Sequence, residues 1–185
     1  EDGIFEDRPS QTVWNRDFET PKFRLEKGPE GISIRTKRLL LTYSGGKFSK
    51  NTLRIQVFAE GCTYGSVWHY SDPVQDLGGT ARTLDEADGA IPLGHGVISK
   101  NGFAVLDDSR SLLLTEDGWV TPRRGNGEDV YFFGYGREYI ECLQDFYRLC
   151  GRTPMLPRFA LGNWWSRYHK YTEQSYMELM NRFRE

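Results

Sequence analysis

The stretch GVISKNGFAVLDDSRSLLLTEDG, residues 96–118, carries short apolar runs at 96–99, 103–106 and 112–115. Between and after them stand Lys100-Asn101-Gly102, Asp107-Asp108-Ser109 and Glu116-Asp117-Gly118. These residue types favour turns for separate reasons: Gly reaches positive φ freely, while Asn and Asp side chains bond the nearby backbone. Strand and turn alternating at this spacing predict a mainly β architecture of the sandwich kind. The same pattern extends outward. Downstream, Gly125-Asn126-Gly127 precedes an apolar run at 130–133. Upstream, Leu53, Ile55 and Val57 alternate with Arg54 and Gln56, the period of a strand with one buried face. The run 39–43 ends at Ser44-Gly45-Gly46, where glycine permits a tight reversal.

After Arg137 the apolar period changes. Tyr139, Ile140, Leu143, Phe146, Tyr147 and Cys150 share one face of a helix predicted over 137–150, and Gly151 is placed to end it. Pro154 and Pro157 bracket a linker, because neither can continue a helix. The apolar run 159–165 predicts a buried strand. Thr172 is the expected N-cap of a second helix, with Tyr176, Leu179, Met180 and Phe183 on one face. The tail therefore reads as a βα unit that stops before its next strand, with apolar surfaces that need partners.

The chain of 185 residues suits one domain, or one domain and a piece of another. With 24 Lys+Arg against 26 Asp+Glu, its net charge of −2 argues against a nucleic-acid binder, which shows a basic stripe. No apolar run approaches the ~18–20 residues of a membrane span. Five Trp, 10 Tyr and 11 Phe mark a chain that folds. It begins at Glu1 without Met and ends at Arg184-Glu185 inside a helical pattern, so we expect a piece of a longer polypeptide. The lack of a leader at Glu1 then says nothing of export. Cys62, Cys142 and Cys150 have no metal-ligand spacing, and their odd number fits reduced thiols of a cytoplasmic protein.

Few residues announce chemistry. Asp107-Asp108-Ser109 reads as turn residues bonding their own backbone rather than as an acid/base pair. Asp85, within the polar stretch 82–89, belongs to a solvated or substrate-contacting loop. His69, His95 and His169 stand far apart without metal-ligand companions. Asp76-Leu77-Gly78-Gly79-Thr80 lacks the Lys and spacing of a phosphate loop, and its glycines read as a backbone requirement. The cluster Trp164-Trp165-Ser166-Arg167-Tyr168-His169 is more informative. It ends the predicted tail strand, the edge on which βα barrels build their sites. Aromatic faces stack on sugars and Arg donates to hydroxyls, so the cluster suits carbohydrate recognition; packing between domains is the plainer alternative.

Several stretches, in order, resemble glycoside hydrolase family 31, the α-glucosidases, α-xylosidases and related α-transglycosylases. They are GIFEDRPSQTVWNRDF (3–18), GGTARTLD (78–85), GHGVISKNGFAVLDDS (94–109), YFFGYG (131–136) and PRFALGNWWSRY (157–168). The resemblance implies a galactose-mutarotase-like β-sandwich over 1–150, followed at 151–185 by a linker and the first βα unit of a truncated (β/α)8 barrel. It implies a retaining enzyme acting on terminal non-reducing α-glucosidic bonds through two Asp carboxylates, both beyond Glu185. It also implies substrate contacts from Trp165, Arg167 and Tyr168 at the end of the first barrel strand, and from Asp85 on a sandwich loop. Tyr168 stands where many relatives have Trp.

On that basis the chain is expected to be a catalytically silent part of an α-glycosidase, with no cofactor, no metal and a cytoplasmic, bacterial-type location. Its expected partner is an oligosaccharide or α-glucoside, not nucleic acid or membrane. A non-catalytic carbohydrate-binding sandwich and a purely structural domain are the alternatives; the βα tail argues against the first, which has no need of it.

Overall fold

The computed structural model describes residues 5–62, 66–81 and 83–185. Gly3, Ile4 and Arg82 of the stretches quoted above lie outside them. The fold is mainly β, and the chain divides into two compact units, Glu1–Arg152 and Thr153–Glu185.

The first unit is built on a five-stranded antiparallel sheet in which sequence neighbours pair throughout: β1 (Arg24–Gly28), β2 (Gly31–Arg35), β3 (Leu39–Tyr43), β4 (Leu53–Val57) and β5 (Val67–His69). The alternation read at 53–57 is realised in β4. Leu53, Ile55 and Val57 are buried, while Arg54 is exposed. Ile55 sits opposite Trp68 of β5, so two large side chains meet on the buried face. At the outer edge, β1 is exposed along its length and carries Arg24, Glu26 and Lys27, charges that discourage edge-to-edge pairing.

A second pair, β6 (Ala104–Asp107) with β9 (Val130–Phe133), is covered on both faces. Because successive side chains point to opposite sides, Val105 and Phe132, with Phe103 just before β6, pack with Ile55, Val57 and Trp68. The Phe132 ring centroid lies 5.5 Å from that of Trp68 and 5.7 Å from that of Phe103. Ala104, Leu106, Tyr131 and Phe133 face the other way, toward helix α1 (Tyr139–Cys150) and Val13. This is the sandwich core, with a helix laid over one outer face. A small pair, β7 (Leu113–Leu114) with β8 (Val120–Thr121), completes the unit.

Helix α1 ends where expected, with Gly151 at φ +86°, in the positive-φ region that L residues disfavour. Of the face predicted, Tyr139, Leu143, Phe146 and Cys150 are partly buried, and they stand beside Cys142 and Leu149, which are buried. Ile140 and Tyr147 are exposed; seven residues is close to two full turns, so the two share one solvent-facing flank. The last carbonyls of α1 are satisfied by the segment before β1. Trp14 and Asn15 donate backbone N–H to Leu149 O at 3.1 and 3.0 Å, and the Asn15 amide donates to Arg148 O at 2.6 Å.

The second unit holds helix α2 (Glu173–Arg182), started by the expected N-cap. Ser175 N–H donates to Thr172 Oγ1, and Thr172 N–H donates to Ser175 Oγ, a reciprocal cap. Leu179 and Met180 are half-buried, and the Phe183 ring meets Trp165 edge-on at 5.5 Å. The strand predicted at 159–165 does not form. A 3-10 turn occupies Arg158–Leu161, and chain without regular secondary structure follows as far as α2. A strand needs a neighbour for its N–H and C=O groups, and none of the described residues supplies one there. Nor does 96–99 form a regular strand; Ser99 makes an isolated bridge with Asp76.

Candidate functional site

That bridge opens onto the most distinctive feature of the first unit. Residues 75–80 and 94–100 run antiparallel as a narrow neck, with backbone hydrogen bonds from Lys100 to Gln75 O, Leu77 to Ile98 O, Gly79 to Gly94 O and Gly94 to Thr80 O at 2.7–3.1 Å. Residues 81 and 83–93 lie beyond it. Asp85 lies at the exposed tip, where its N–H donates to Thr83 Oγ1 at 3.1 Å, and Leu84 and Leu93 are solvent-facing.

Glycine makes the neck possible. A Cβ on Gly79 would lie 2.4 Å from His95 O, and one on Gly96 would lie 2.4 Å from Gly78 O. The glycines read in sequence as a backbone requirement are therefore that, the requirement being close approach of two chains. Asp76 fastens the base. Its Oδ1 accepts from Gly78 N–H at 2.7 Å and Gly96 N–H at 3.2 Å, and its Oδ2 lies 2.9 Å from His95 Nδ1. The hydrogen bond with His95, followed by the one from Gly78 N–H, holds the Asp76 carboxyl below its ordinary range.

The carboxylates around Asp108 have a different role. Asp108 is fully buried and sits in a closed square with Arg16, Arg123 and Asp129. Arg123 approaches Asp108 at 2.6 Å and Asp129 at 3.0 Å, while Arg16 approaches Asp129 at 2.6 Å and Asp108 at 3.3 Å. Two cations and two anions neutralise one another inside the unit through Oδ2 of each carboxylate, and Asp108, with no exposed surface, is closed to a substrate. Asp107 does behave as the predicted turn residue, its Oδ1 accepting from Ser109 N–H at 2.9 Å. Asp108 does not: it points inward.

In the second unit, Trp165, Arg167 and Tyr168 follow the 3-10 turn on irregular chain. Tyr168 is fully exposed, Trp165 is half-exposed against Phe183, and Arg167 Nη2 stands 3.5 Å from His169 Nδ1. The Trp164 indole N–H donates to Ala160 O at 3.0 Å, tying the aromatic run back to the turn. These three residues share a short segment; Asp85 belongs to the first unit.

Sequence reasoning missed Asp76 and the groove between residues 15–19 and α1. The groove, of about 840 Å³, is open and lined by Phe18 and Tyr147 with Asp17, Glu19, Asp145 and Arg148. The glycines of GGT (78–80) and GHG (94–96) were the available signal for the neck. Among the described residues no cluster of His, Cys, Asp and Glu could hold a metal ion, and no helix is long and apolar enough to cross a membrane.

No protein-family model matches the sequence. Among curated proteins, an α-xylosidase of Saccharolobus solfataricus is similar to this chain, 27% identical over 120 residues. The matched stretch covers 60% of this chain and 15% of the relative's length, so the chain spans a small part of the protein it resembles.

Proposed function

We infer that the chain is the sandwich and opening βα unit of a longer retaining α-glycosidase of the family 31 type, acting on terminal α-glucosides or α-xylosides. The observation that carries this is the similarity to an α-xylosidase, joined to a mainly β unit with a projecting loop and a tail rich in exposed aromatics. In such an enzyme one carboxylate attacks the anomeric carbon while a carboxylic acid protonates the leaving oxygen, and water then resolves the glycosyl-enzyme. Both carboxyls would come from residues after Glu185. This chain would supply pocket wall. The Tyr168 ring would stack on a sugar face, Trp165 would back it, and Arg167 and Asp85 would donate to and accept from hydroxyls. Substitution tests the assignment: in the full enzyme, Tyr168→Ala should lower kcat/KM for an aryl α-glycoside by roughly ten- to a hundredfold. An unchanged kcat/KM would remove Tyr168 from the pocket.

The groove beside α1 favours a second reading, a sandwich that binds glycans without turnover. Phe18 and Tyr147 offer apolar faces beside carboxylates and Arg148, the pairing that sugar hydroxyls and ring faces require. Maltooligosaccharide binding by the 185-residue chain that is lost on Tyr147→Ala would support it. Absence of binding would leave the enzymatic reading alone.

A further inference from the structure

Asp76 gathers three donors from both sides of the neck: Gly78 N–H on the outgoing chain, and Gly96 N–H and His95 Nδ1 on the returning one. Its side chain is 12% exposed, whereas His95 lies on the surface. The ladder beyond the carboxylate is short, ending at the Gly79–Gly94 and Gly94–Thr80 hydrogen bonds. A projection of this length, fixed by so few backbone bonds, takes its direction from its base. A charged acceptor holding both chains is worth more there than another neutral bond.

We propose that Asp76 is the positioning residue for this loop, setting the direction in which Asp85 is presented to the hydroxyls of a bound sugar. The proposal rests on the assignment of Asp85 to the substrate pocket. Asp76 itself touches no substrate; it acts through the loop. The two oxygens have separable duties. Asn at this position keeps an oxygen for the two backbone N–H groups and changes only the partner of His95, while Ala removes all three bonds.

Two measurements test this. Hydrogen exchange in the 185-residue chain reads the neck directly. Asp76→Ala should cut protection of the Gly79 and Gly94 amides by roughly tenfold or more, and Asp76→Asn should restore most of it. Kinetics of the full-length enzyme on an aryl α-glucoside or α-xyloside read the consequence. Asp76→Ala and Asp85→Ala should each raise KM by roughly tenfold with kcat held within about twofold, and the double variant should be no worse than Asp85→Ala. Unchanged neck protection in Asp76→Ala would overturn the positioning role, and so would a loosened neck whose effect on KM adds in full to that of Asp85→Ala. A neutral Asp85→Ala would instead remove Asp85 from the pocket, a failure of the underlying assignment distinguishable from the first because neck protection does not depend on sugar.

Discussion

The Arg123 guanidinium lies 2.6 Å from the carboxylate of Asp108, a side chain with no exposed surface. Arg16, 7% exposed, and Asp129 close the square. The square joins four separate segments: the stretch before β1, the end of β6, the chain after β8 and the residue before β9. Removing one member strands the others in a dry interior, which costs far more than the net worth of the intact square.

Asp108→Ala should therefore lower stability by about 3–5 kcal/mol, read as a shift of the urea midpoint of the 185-residue chain. Asp107→Ala, which gives up one exposed turn bond, should cost about 1 kcal/mol or less. Equal losses for the two would show that the square is not the locking element.

Thiol chemistry reports on the packing of α1. Burial, with Asp145 nearby, pushes the Cys142 thiol up to about 11, and burial does the same to Cys150. At pH 8 a thiol of that kind is ionised to on the order of one part in a thousand, and Cys142 is also closed to solvent. Iodoacetamide at pH 8 followed by peptide mass spectrometry should label Cys62 in the folded chain, and Cys142 and Cys150 only once denaturant is added. Rapid labelling of native Cys142 would contradict the packing of α1 on β6 and β9.

The neck should tolerate no Cβ. Gly79→Ala and Gly96→Ala each drive a methyl to 2.4 Å from a carbonyl oxygen of the facing chain. Both should open residues 77–98 to limited proteolysis at a cost of about 1–3 kcal/mol, because backbone rather than a flexible side chain must move. Gly127→Ala, with nothing within 4 Å, is the control and should be silent.

The neck should also loosen in acid. The Asp76 carboxyl is held below its ordinary value, so the unfolded or opened state binds a proton more readily. Its contribution is fully present above about pH 4, the unfolded carboxylate value, and is lost as pH falls through the lower folded value. Exchange protection at Gly79 and Gly94 should fall over that window in the parent chain and stay flat in Asp76→Asn.

What could be read from sequence was local and periodic. The alternation of 53–57, the reversal of period after Arg137, the end of α1 at Gly151 and the cap at Thr172 each depend on neighbours within a few residues, and each is present. The Asp108 square joins residues up to 113 apart in sequence, and nothing local distinguishes Asp108 from Asp107. The tail strand at 159–165 failed for a related reason. Its apolar run satisfies the pattern of a buried strand, but a strand exists only beside another strand. Of the proposed site, Asp85 and the aromatic run could be singled out through resemblance, whereas Asp76 emerges only when the two chains of the neck are seen to meet.

We have proposed that this chain is part of an α-glycosidase whose catalytic carboxylates follow Glu185. The most direct test is turnover of fluorogenic α-glucoside and α-xyloside by the 185-residue chain and by the full polypeptide, side by side. The expected result is an active full polypeptide and a silent chain. Turnover by the purified chain would contradict the placement of the carboxylates, and a full polypeptide inert toward both substrates would contradict the assignment of this activity.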